Sequence, residues 1–202
     1  MLAMSNSSLM PREKWRRRRA LRGAWLLCFL ATLAMPAVAD TLVAVTDASV
    51  ALDDGVYELQ ATVDLQLPED GRRAIEAGLT LRLDYEIEIT RVRRYLPDES
   101  IASLLQSFEL SYHALSQRYL VRNVNTGEQY DHGTLPAALE RLSEVRGLPL
   151  LDSSLLQPGS TYEFSVRADL KLRTLPDSLN WLVFWADDWS ATSEWYRWTL
   201  RR

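Results

Sequence analysis

Few residues in this chain have both the type and the spacing that catalysis needs. His113 and His132 are its only histidines, and neither sits in an H-x-x-x-H or comparable zinc spacing. The single cysteine, Cys28, lies in an N-terminal apolar run, so the rest of the chain has no thiolate nucleophile, disulfide or cysteine-based metal site. No serine is flanked as in a nucleophile elbow, and no glycine-rich loop is present to cradle phosphate. Lys171, the only lysine beyond the N-terminal region, has Ala168 three residues before it, which excludes Ser-x-x-Lys chemistry. Carboxylates are abundant. Asp84, Glu86 and Glu88 alternate along one stretch and would stand about 7 Å apart in succession on a strand face. Two of them are placed to share a cation or act as acid and base, yet Arg82 shares that face and Arg91, Arg93 and Arg94 follow, the pattern of a solvated mixed-charge surface. A carboxylate hydrolase would need a pair made by folding, such as Asp187 with Asp84. The expectation is a protein that is not an enzyme and that uses no metal or cofactor.

Chemistry gives way to recognition at the C-terminus. NWLVFWADDWSATSEWYRW, residues 180–198, holds five of the seven tryptophans. Trp181, Trp185 and Trp189 are spaced for one helical face, whereas Trp195 and Trp198 differ by three, so in a terminal strand they face opposite sides. Such rings are first of all core anchors, because each buries roughly 200 Å². Five in one segment exceed what one edge of a small core readily absorbs, so one or two are expected at the surface beside Asp187, Asp188 and Glu194. Trp185, Trp189 and Trp195, with Asp187 and Asp188, are therefore the candidate contacts for a partner or ligand. Asn180 is the segment's only amide, which makes a sugar the weakest of the possible ligands.

The elements that position this segment follow a leader. Residues 1–39 run from a basic block (Arg12 to Arg22) through a 12-residue apolar stretch, AWLLCFLATLAM, to Pro36 and Ala37-Val38-Ala39. This is the order of a secretory signal peptide cleaved after Ala39, and it implies a periplasmic protein. An uncleaved inner-membrane anchor is the alternative, although the run is shorter than the roughly 20 residues a membrane span needs. The leader holds 7 of the 23 basic and 1 of the 27 acidic residues, so residues 40–202 carry 16 against 26, a net charge of −10. That charge removes the electrostatic footprint of a nucleic-acid binder and disfavours adhesion to anionic lipid by charge alone.

Beyond the leader the patterning is that of strands. Tyr57 to Leu67, Leu79 to Ile89 and residues 162–172 each alternate apolar and polar positions, which predicts strands with one buried and one wet face. Asp53-Asp54-Gly55 predicts a turn from an earlier strand near Leu42 to Leu52, and Ser107 to Ala114 with Arg118 to Val124 predicts a hairpin. Two short helices are expected. One covers about Glu69 to Ala77, closed by Gly78; the other runs from Leu135 to Arg146, capped by Thr134 and ended by Gly147. His113 falls on the wet face of its strand and His132 in a loop. The fold class expected is mainly β: a single-domain β-sandwich of antiparallel strands with one or two short helices, over residues 40–202.

The stretches YHALSQRYLVRNVNTGE (112–128), TLPAALERL (134–142), RADLKLRTLPDSL (167–179) and SEWYRWTL (193–200) resemble the DUF4390 family in the same order. These are small exported proteobacterial proteins with no assigned function and no recognised catalytic residues. The genes of that family often neighbour a membrane sensor histidine kinase of the nitrogen-regulation type and an rRNA methyltransferase. The resemblance thus implies a periplasmic or inner-membrane protein as partner, with contact at the membrane surface a further possibility. Residues and resemblance together lead to an exported interaction module that binds through its C-terminal aromatic segment. The alternative is a sandwich that binds a small ligand or lipid, with the same rings lining a cavity.

Overall fold

The computed structural model describes residues 42–173 and 190–202. The expected leader with its expected cleavage site, Cys28, and the stretch containing Trp181, Trp185, Asp187, Asp188 and Trp189 lie outside the described residues.

Chain order among the described residues begins with β1 (Val43–Asp53) and β2 (Val56–Leu65), then helix α1 (Glu69–Glu76), β3 (Thr80–Val92), β4 (Glu99–His113), β5 (Arg118–Asn123) and β6 (Gln129–His132). It continues through α2 (Leu135–Ser143), β7 (Glu144–Asp152), a single 3-10 turn at Ser153–Leu155, β8 (Thr161–Arg173), β9 (Ser190–Thr192) and β10 (Tyr196–Arg201). The strands make two antiparallel sheets. The smaller has the order β1-β2-β7; the larger has seven strands, β10-β8-β3-β4-β5-β6, with β9 also on β8. They form a sandwich, as the alternating sequence predicts.

Local chemistry explains the main elements. Asp54 and Gly55, at φ +42° and +83°, form the two-residue β1–β2 connection, whose left-handed backbone matches the twist of the strands it joins. β3 is the spine of the larger sheet, paired along its length with β8 and over most of it with β4. Its apolar positions Leu81, Leu83, Tyr85, Ile87 and Ile89 are all fully buried. They meet Phe164, Val166, Ala168 and Leu170 of β8 on the same face, and Tyr57, Leu59, Ala61 and Val63 of the smaller sheet opposite, in one continuous core. Tyr57 and Phe164 bridge the layers with ring centroids 6.4 Å apart. α1 buries Ala74 and Ile75, and α2 closes one side with Leu135, Ala138 and Leu142. Thr134 caps α2 by accepting a bond from the Ala137 amide, with Pro136 in the first turn.

One boundary is corrected. The second helix does not run to Arg146: it ends at Ser143, and Glu144–Asp152 is the third strand of the smaller sheet. Val145 is buried as its apolar spacing requires, but it is held there by pairing with Ala61, a cross-strand contact the helical stripe could not reveal. Gly147, at φ +63°, accommodates an irregularity in β7 rather than closing a helix. His132 is likewise in strand β6, paired with Tyr119, and not in a loop.

Candidate functional site

Two regions hold the polar and aromatic groups that recognition would use. The first is the outer face of the larger sheet. β8 there carries two strands end to end on one edge: β10 pairs with Thr161–Val166 and β9 with Asp169–Lys171. Between them Ser193 keeps the edge bonded, its amide donating to the Ala168 carbonyl (2.8 Å) and its Oγ accepting from the Ala168 amide (2.9 Å). This short splice decides where the last two tryptophans go. Trp198 turns inward and stacks on Phe164, with centroids 5.6 Å apart and planes at 19°. Trp195 lies half-buried beneath guanidinium groups, with Arg167 4.6 Å and Arg197 6.0 Å from its ring centroid. The opposite facing expected of these two rings is present. The remaining candidates, Trp185, Trp189, Asp187 and Asp188, lie outside the described residues.

Three carboxylates of this face, Asp84, Glu86 and Asp169, are held by cations, while Glu88 is exposed. Asp84 Oδ1 accepts from Arg82 Nε (2.8 Å) and from Ser107 Oγ (2.6 Å), while Arg82 also reaches Glu109 at 3.8 Å. Glu86 is paired with Arg167, and Asp169 with Lys171. Asp169 is buried, and its Oδ1 takes a further bond from Thr192 Oγ1 at 3.1 Å. The Lys171 ammonium is held above the usual lysine range chiefly by its hydrogen bond to Asp169; burial opposes this, and the charges of Asp169, Asp84 and Glu86 add to it. Directly across β3 and β8 only Glu86 and Arg167 oppose one another with opposite sign, since Arg82 faces Lys171 and Asp84 faces Asp169; the like-charged neighbours are compensated along each strand, by the Arg82–Asp84 and Lys171–Asp169 pairs. Among the described residues no group of three or more His, Cys, Asp and Glu side chains is placed to hold a metal ion. His113 is exposed, with Nδ1 2.9 Å from Ser116 Oγ.

The second region went unread in the sequence. A cleft of about 460 Å³ opens between the edge of the smaller sheet at β7 and the inner face of β4, β5 and β6. Gln106, Asn123, Tyr130, Arg141 and Arg146 supply its polar groups, over a floor that includes Phe108. Gln106 is only 6% exposed and donates to Asn123 Oδ1 at 2.8 Å. The Arg141 guanidinium lies 4.9 Å over the Tyr130 ring, and among the described residues it makes no ion pair with a carboxylate. The signal was available: Gln106 occupies an inward position of β4, in step with Phe108 and Leu110, where the alternation calls for an apolar side chain.

No helix among the described residues is long and apolar enough to cross a membrane. Comparison with curated proteins and with solved structures finds no match. The family comparison does: a model described as "Domain of unknown function (DUF4390)" matches residues 41–199, most of the chain, and the chain belongs to that family.

Proposed function

We propose that the chain is an exported periplasmic binding module that holds a protein partner, itself periplasmic or in the inner membrane, through the C-terminal edge of its larger sheet. The observation that carries this reading is the position of Trp195. Its indole is on the solvent side of the sheet, at the outermost strand, while Trp198 three residues on fills the core side. Half-buried tryptophan flanked by arginine is the composition of an interface hot spot. The fixed ion pairs around Arg82, Asp84, Glu86 and Arg167 supply a rigid, water-facing rim. The leader supports export, and the family resemblance supports a membrane sensor kinase as one such partner.

The test is substitution of Trp195 with alanine, followed by chemical crosslinking in cells and thermal unfolding of the purified protein. The reading predicts loss of the crosslinked species with little change in Tm. A fall in Tm as large as that of Trp198→Ala would make Trp195 a packing residue and remove the basis of the proposal.

A second reading is favoured by the cleft. Its volume is within the range of small-molecule sites, and Gln106, Asn123 and Arg141 converge on it. A ligand retained through purification and seen by native mass spectrometry, then lost on Gln106→Leu substitution, would support it. Among the described residues, neither Trp195 nor Trp198 lines this cleft; its rings are Phe108 and Tyr130.

A further inference from the structure

The two sheets are joined along one side, where β1 packs against β8 and β10; the cleft lies on the other side, at β7. Its far wall is fixed by a network of amides. Asn125 holds the β5–β6 turn onto β4: its Oδ1 accepts from the Ser107 amide (2.8 Å), and its Nδ2 donates to the Leu105 carbonyl (2.9 Å). The Asn123 amide donates to the Glu128 carbonyl at 2.8 Å, which sets Glu128 beside Asn123. Asn123 Oδ1 accepts from the amides of Asn125 (3.0 Å) and Thr126 (3.2 Å), so the group it turns toward Gln106 is an oxygen. Gln106 must therefore present its NH2, which it does at 2.8 Å. The Gln106 carbonyl oxygen is left with no hydrogen-bond partner among the described residues, on a buried side chain that lines the cleft. A buried acceptor calls for a donor.

Among the described residues the charged side chains lining the cleft are Glu128, Arg141, Glu144 and Arg146, and they are not equivalent. Glu144 is ion-paired with Arg146 at 2.5 Å. Arg141 and Glu128 make no ion pair there, with each other or with a third group. Arg141 Nη1 donates only to the Glu144 carbonyl, at 3.4 Å, and the Glu128 carboxylate accepts only from the hydroxyls of Thr126 and Tyr130, each at 3.3 Å. Tyr130 stands between the two charges, its ring 4.9 Å beneath the guanidinium and its hydroxyl on the carboxylate. With the guanidinium over the ring face, cation and anion are on the order of 8 Å apart.

We propose that the cleft binds a small zwitterion, an α-amino acid, with its carboxylate on Arg141 and its ammonium on Glu128. This names a ligand class for the cleft and rests on reading the cleft as a ligand site. Two unlike charges without ionic partners are both satisfied only by a ligand that carries both signs. An anion alone would be repelled by Glu128, and a cation alone by Arg141. The span selects among zwitterions. An ammonium and carboxylate about 3 Å apart, with a charge-assisted hydrogen bond of about 2.8 Å at each end, bridge the gap across Tyr130, whereas the termini of a peptide overshoot it. The ammonium brings three donors. Glu128 and the Gln106 carbonyl oxygen, the acceptors that wait for them, both adjoin Asn123. Phe108, Val145, Leu148 and Pro149 offer apolar surface to the ligand's side chain.

The test is a thermal-shift survey of the common protein amino acids, each alone at millimolar concentration, on the purified protein. The best binder is then compared by NMR titration with its decarboxylated amine and its deaminated acid. The amino acid is expected to raise Tm, to saturate and to shift the Gln106 side-chain amide, and each half-ligand to bind at least tenfold more weakly. Arg141→Gln and Glu128→Gln should each lower affinity at least tenfold. Glu128 is exposed, so its variant keeps the native Tm, whereas Arg146→Gln, whose charge is already paired with Glu144, should bind like the native protein. A deaminated acid that binds as tightly as its parent, or an affinity unchanged in Glu128→Gln, would overturn the zwitterion and leave the cleft a ligand site. Binding that does not shift the Gln106 amide would place the ligand elsewhere and overturn it too. If no amino acid raises Tm the proposal falls, and the cleft reading then stands or falls on a retained ligand that Gln106→Leu removes.

Discussion

Replacing Tyr85 with phenylalanine removes one oxygen from the middle of the fold. Tyr85 is fully buried on β3, edge-on to Phe108 at 6.1 Å, and its hydroxyl donates to the Leu142 carbonyl at 2.6 Å. That carbonyl belongs to the last turn of α2, where the helix no longer supplies partners of its own. The bond therefore ties the central strand of the larger sheet to the helix that leads into β7. Losing it leaves a carbonyl unpartnered in the interior, at a cost of about 1–3 kcal/mol. For a domain of this size each kcal/mol lowers Tm by roughly 2–4 °C. The same burial pushes the phenol well above its ordinary value of 10.0, with the charge of Arg141 only partly opposing. The linkage follows in sign. The folded state keeps its proton where the unfolded chain, titrating near 10.0, has begun to lose it, so the stability is fully present below that pH and declines above it. The decline approaches ~1.4 kcal/mol per pH unit. Urea unfolding of both proteins between pH 7 and 11.5 is the assay. Tyr85→Phe should be less stable by the stated amount at pH 7, and the gap should narrow above pH 10. A variant within ~0.3 kcal/mol of the native protein at pH 7, or a constant gap at high pH, would refute the argument that this hydroxyl is an anchoring donor.

Three further outcomes are expected. Trp198→Ala should cost ~3 kcal/mol or more, because its ring is stacked on Phe164, whereas Trp195→Ala should cost under ~1 kcal/mol; differential scanning calorimetry separates them. Thr134→Ala removes the cap of α2 and should lose about 0.5–2 kcal/mol in denaturant titration, with Thr134→Asp restoring most of it. Asn125→Ala strips two bonds from the β4 edge and should speed exchange of the Ser107 amide by at least tenfold, read by NMR.

Much of this architecture was legible because alternation is a local signal. The inward rows of β2, β3 and β8 are complete apolar runs in the sequence, and all three strands form with those rows in the core. The Asp54-Gly55 turn and the cap of α2 depend on a few neighbouring residues and were equally readable. β7 was not, because EVRGLPLLD continues the helical spacing of Leu135, Leu139 and Leu142 through Val145. Only pairing with β2, more than eighty residues earlier in the chain, makes it a strand. The same limit applies to recognition. Which way Trp195 points could be inferred from its parity with Trp198, but its guanidinium neighbour Arg167 comes from another strand. The cleft required two sheets to meet, and its one sequence trace is Gln106 interrupting an apolar row.

Site-specific photocrosslinking in intact cells tests the central claim most directly, with a photoreactive residue at position 195 and a control at Gln60 on the exposed side of β2. A binding module that works through its C-terminal edge predicts one specific protein adduct at position 195 and none at position 60. A correctly exported and folded protein with no adduct at position 195, or with the same adducts at both positions, would contradict it.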